Sequence, residues 1–131
     1  MSLAYELLQR HEGPLVWGVN DCVQFAAAAV EHYGGWKPAL PFYSNEREAV
    51  RIIAEGGGLE ALVTQALGEP IHAKDAQLGD VVLAVFRDTG PMLGVVNDRL
   101  HFWVRSVAGE RGGFLPLKLE LANRVWACRL Q

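Results

Sequence analysis

The chain changes character at Gly79-Asp80, and this break constrains the fold more than any other feature. Before it, apolar residues recur at helical spacing between glycine and proline stops. After it, they gather in short β-branched runs of strand length. Helices followed by strands predict an α+β domain with a mostly antiparallel sheet. At 131 residues the chain is read as one domain over 1–131, and half of its residues are hydrophobic, enough to close a core without staples.

The stops and caps divide the first part. Ser2 is positioned to cap a short helix that carries Leu3, Leu7 and Leu8 on one face and ends at Gly13-Pro14. Asn20-Asp21 opens a helix predicted to run to Tyr33 and to stop at Gly34-Gly35. Asn45 and Glu48 have capping-box spacing ahead of a helix closed by Gly56-Gly57-Gly58, and another runs from Leu59 to Leu67. In the second part, Val81 to Phe86 reads as a central strand. Met92 to Val96 and Leu100 to Val107 read as a hairpin turning on Asn97-Asp98, which pairs Gly94 with His101 and puts His101 on the face of Met92. Phe114 to Leu119 and Arg124 to Leu130 complete the strands.

Charge and composition narrow the function classes. Twelve basic residues against fifteen acidic ones give a net charge of −3, with no basic stripe, so no nucleic-acid partner is expected. The longest apolar runs, Phe25 to Val30 and Val81 to Phe86, are far short of the ~20 residues of a membrane-spanning helix, and no membrane insertion is expected. Glu6 and Arg10 interrupt the apolar start, so the chain reads as cytoplasmic at synthesis. The histidines His11, His32, His72 and His101 lack metal-ligand spacing, so neither a metal nor a cofactor is expected. Asp80 and Cys128 read as structural residues.

The most informative stretch is Trp17-Gly18-Val19-Asn20-Asp21-Cys22, which sets a thiol in the first turn of a helix whose small face, Ala26 and Ala29, points to the sheet. A helix amino terminus favours a thiolate, and cysteine is equally at home as a small buried hydrophobe; the residues alone leave both readings open. Asn20 and Asp21 are helix caps first, and their amides are candidates for an oxyanion site second. Trp17 and Trp103 are the tryptophans placed to flank such a site.

This stretch, together with Gln77-Leu78-Gly79-Asp80-Val81-Val82, resembles the NlpC-type, papain-like cysteine peptidases. It is most similar to a small family of unknown function encoded among phage and prophage tail genes. The resemblance implies a papain-like fold, a nucleophile at Cys22, and a histidine base within a His-x-Gly-x strand. The corresponding residues are Met92-Leu93-Gly94-Val95, and methionine takes no proton. His101 is the surviving histidine at the third polar position. Two expectations follow. One is a catalytically impaired domain acting in tail assembly, in which the old cleft binds phage tail proteins or peptidoglycan fragments, made in the cytoplasm and carried on the virion. The other is an active hydrolase of peptide amide bonds that uses Cys22 and His101.

Overall fold

The computed structural model describes residues 5–106 and 113–129. Ser2, Leu3, Val107 and Leu130, named above, lie outside them. Four α-helices precede five strands: α1 Tyr5–His11, α2 Cys22–Ala29, α3 Glu46–Glu55 and α4 Leu59–Leu67, then β1 Val81–Phe86, β2 Gly90–Val96, β3 His101–Ser106, β4 Gly113–Lys118 and β5 Arg124–Trp126. The strands form one sheet of order β4-β3-β2-β1-β5 with every neighbour antiparallel, so the chain is an α+β domain.

The caps act where the side chains predict them. The Asn45 side chain accepts from the Glu48 amide at 2.9 Å, and Ser44 and Asn45 both donate to the Glu48 carboxylate, closing the box ahead of α3. Asp21 caps α2 by accepting from the Gln24 amide at 2.9 Å. The α2 helix ends at Ala29 and continues as a π-turn over Val30–Gly34, which Gly35 closes at φ +76°.

The sheet is buried on both faces, which is why Val81 to Ala84 is continuously apolar. One face packs Val81, Leu83 and Leu93 against Ala26, Val30 and α4, and Val95 against Phe25 and Ala29. The opposite face packs Val82, Ala84, Met92, Val96, Phe102 and Val104 beneath Leu119 and its neighbours. β1 is interior, between β2 and β5, although β2 holds the middle position. The last strand is shorter than predicted, because β5 spans only Arg124–Trp126.

The β2–β3 hairpin forms in a different register from the predicted one. Gly94 pairs with Val104 and Val96 with Phe102, a shift of three residues on β3. A two-residue turn on Asn97-Asp98 would need positive φ at both positions, and among the described residues only glycines adopt it. Instead, Asp98 accepts from the Leu100 and His101 amides at 2.8 and 2.9 Å, holding a longer loop. An odd shift moves every β3 side chain to the other face. His101, Trp103 and Arg105 therefore face the helices with Leu93 and Val95, while Met92 faces away.

Candidate functional site

The first residue of α2 is Cys22, and the turn before it is tied down from several directions. Asp21, only 2% exposed, accepts from Gln24 with one oxygen, and from the Gly18 amide and the Tyr43 hydroxyl, each at 2.8 Å, with the other. Gly18 makes that approach with φ +81°, and a Cβ there would collide with the Tyr43 carbonyl, so only glycine fits. The Asn20 side chain turns away from the cysteine and donates to the carbonyls of Glu12 and Pro14 at 3.1 and 3.2 Å. The side chains of both capping candidates are thus committed to loop structure, and the Asn20 backbone N–H donates to the Val16 carbonyl at 2.7 Å.

Cys22 packs onto the sheet at a particular place. β2 pairs with β3 only from Gly94 to Val96, whereas Gly90 to Leu93 pair with β1 alone. At this divergence the Leu93 backbone N–H meets the Cys22 thiol. Burial is the largest influence on the thiol and pushes its pKa above the ordinary value; the Leu93 amide opposes this, the neighbouring Asp21 carboxylate adds to it, and Arg105 opposes it more weakly. The thiol is therefore protonated at neutral pH. Burial and the adjacent carboxylate act in the opposite direction to the helix end that the sequence displays.

The residues expected around the thiol divide into two groups. Trp17, Asp21 and Cys22 line one cavity of about 390 Å³, bounded by α2, α3, α4 and the segment 38–43. Met92 is on the far face of the sheet, where its sulfur accepts from the Thr89 hydroxyl at 3.3 Å. The expectation that Met92 stands at the base position beside Cys22 is corrected: the side chain on that strand facing the thiol is Leu93. Trp103 packs in the cluster around Phe25 rather than in the cavity. His101 shares the helix-facing side, but it lies four residues along β3 from Arg105, about 13 Å at ~3.3 Å per residue. Its ring is held at 3.1 Å by Asp98 within the loop. Hydrogen bonding from the Leu100 amide, and then from His101, keeps the Asp98 carboxyl below the usual range. The predicted pairing of Cys22 with His101 is not formed.

Sequence reasoning missed the residues on the other flank of α2. Arg105, 2% exposed, donates from Nε to the His11 carbonyl at 3.1 Å and from a terminal nitrogen to the Gly13 carbonyl, closing the carboxyl end of α1. The His11 ring lies 5.8 Å from that of Phe25 and beside Asn20. Burial is the main force lowering the His11 pKa, reinforced by the Arg10 and Arg105 charges and opposed by Asn20 and Asp21. The one available clue was a charged residue directly after the apolar run in Phe102-Trp103-Val104-Arg105. Tyr43, whose hydroxyl pKa burial drives upward, carries no sequence signal at all.

The structural residues stand as read. Asp80 accepts from the Gln77 and Cys128 amides at 2.8 and 3.0 Å, and Cys128 is fully buried, its pKa pushed up to about 11 mainly by burial.

Comparison with known proteins gives one family: the model described as a domain of unknown function, DUF6950, matches residues 2–128. No curated protein and no solved structure matches the chain.

Proposed function

The chain belongs to the DUF6950 family, and from that premise we propose that it is a phage-tail-associated domain of papain-like, NlpC-type architecture that binds through its cysteine cleft and has no hydrolytic chemistry. One observation carries this reading: the side chain facing the thiol from the adjacent strand is Leu93. A papain-like hydrolase needs a base within hydrogen-bond reach of the sulfur, about 2.6–3.2 Å, and leucine supplies none. The architecture is supported by a helix that opens on cysteine and packs against an antiparallel sheet. The tail association rests on the resemblance carried by Trp17 to Cys22. A fold of this kind keeps its cleft when the chemistry is lost.

The cleft itself favours binding of apolar groups. Val23, Ile53, Leu62 and Val63 are among its walls, a poor match for the sugars and charged stem peptides of a cell wall. Of the two partner classes the resemblance implies, an apolar tail component suits these walls better than a peptidoglycan fragment.

The test is the rate of Cys22 alkylation against pH, followed by peptide mass mapping, in the intact chain and in His101→Ala. We expect slow modification at neutral pH, a midpoint above that of an ordinary thiol, and no effect of the His101 change. Fast modification below neutrality that disappears in His101→Ala would overturn the reading and restore the active hydrolase.

A further inference from the structure

We propose that the cavity beside Cys22 binds a neutral hydrocarbon chain, the alkyl or acyl tail of an uncharged amphiphile. This deepens the binding reading above and rests on it.

At about 390 Å³ the cavity falls within the range of small-molecule sites. Its ionisable wall chemistry excludes charged ligands. Among the described residues no lysine, arginine or histidine lines it, and the one carboxylate that does, Asp21, already accepts from Gly18, Gln24 and Tyr43. An anionic head drawn inside the cavity would find no cation among the described residues and would meet Asp21; Lys37 lies beyond the strap, in the adjoining cavity. A cationic head would have to compete with three donors already in place.

Hydrogen bonding separates a hydrocarbon from a peptide. The walls are mostly helix, and helical backbone groups are engaged in their own ladders. A peptide would carry N–H and C=O groups into walls where only the 38–43 strap and the edge of β2 lie outside such ladders, whereas a hydrocarbon chain brings none. The polar side chains that remain, those of Trp17, Cys22 and Gln65, are too few to pair a peptide backbone.

The mouth accounts for the polar end of the ligand. Residues 38–41 and Tyr43 line both this cavity and an adjoining one of about 440 Å³. That strap belongs to no helix or strand and is fastened at both ends: Trp36 donates to the Cys128 carbonyl, and Tyr43 to Asp21, each at 2.8 Å. Beyond the strap, Lys37 and Gln24 line the second cavity together with Leu40 and Phe42. A chain inserted toward Leu93 would leave an uncharged head at the strap, within reach of water.

The experiment uses the neutral fluorescent probe N-phenyl-1-naphthylamine on the intact chain, with dodecanol, dodecanoate and an uncharged leucine-rich peptide as competitors. We expect saturable probe binding, displacement by dodecanol, at least tenfold weaker displacement by dodecanoate, and none by the peptide. Ala27→Phe, which fills the cavity from α2, should weaken probe binding about tenfold. Ala66→Phe, from the exposed side of α4, repeats the test should the first variant not fold, as judged by circular dichroism. Absence of saturable binding, displacement by the peptide, or equal displacement by dodecanoate overturns the proposal. The two readings fail separately: an activated, His101-dependent thiol defeats the non-catalytic reading whatever the probe does, and an inert thiol with no probe binding defeats the ligand assignment alone.

Discussion

The two flanks of α2 are built on opposite principles. Toward α3 and α4 the helix presents alanine and valine to an open, apolar cavity, and the only carboxylate at its edge is saturated. Toward α1 and β3 it presents Phe25 to a closed joint, where the buried Arg105 guanidinium holds the loop that leads into Asp21 and the His11 ring packs against Phe25. The first flank leaves space and spends no polar groups on it. The second is filled, and Arg105 meets the His11 and Gly13 carbonyls there, each of which would cost about 1–3 kcal/mol if left unmet. The open cavity proposed to bind ligand and the closed joint thereby lie on the two sides of one helix, with Cys22 at the seam.

This division can be broken by substitution, and the seam at Asp21 and the closed side should give the larger effects. Asp21→Ala removes the cap of α2 and strands the Gly18 amide and the Tyr43 hydroxyl, so we expect a loss of about 3 kcal/mol in denaturant unfolding. Arg105→Met keeps the bulk of the stem but leaves the His11 and Gly13 carbonyls unmet, an expected loss of about 2 kcal/mol with probe binding in the α3–α4 cavity retained. Equal loss of probe binding in the folded variant would mean that the flanks are not separable.

The His11 joint adds a pH dependence. Unfolded, His11 takes up a proton near its ordinary value of 6.5; folded, it does so only at lower pH. Stability should be indifferent to this group above that value and should fall as pH drops below it. His11→Gln should flatten this part of the stability profile, which thermal melts between neutral and mildly acid pH would reveal. The smallest effect is expected at the mouth of the open side. Phe42 is 86% exposed, so Phe42→Ser should leave stability within about 0.5 kcal/mol.

Much of this was legible in the chain because local chemistry decided it. Asn45 with Glu48, Asp21 ahead of Cys22, and the glycines after α3 act within a few residues, so their spacing is sufficient evidence. The α2 face was legible for the same reason: helical periodicity puts Cys22, Ala26 and Ala29 toward the sheet. The β3 register was not. It depended on whether Asn97-Asp98 would take positive φ or Asp98 would bind the Leu100 and His101 amides, and the second arrangement carried His101 three residues along β3 from its predicted place beside Gly94, while the helices cover the Leu93 face of β2 and leave Met92 on the other.

By itself, then, the sequence determined the order of elements, the caps that begin the helices, and a cysteine at the start of the helix that crosses the sheet, because these follow from interactions between near neighbours. The tertiary structure alone decided what surrounds that cysteine. Leu93 reaches it only because β2 and β3 part there, Arg105 faces its flank only because the hairpin slipped by an odd number of residues, and the cavity exists only where α3, α4 and the 38–43 strap converge. Those contacts join residues tens of positions apart, and the burial they create, rather than the helix end that the sequence displays, sets the protonation of Cys22.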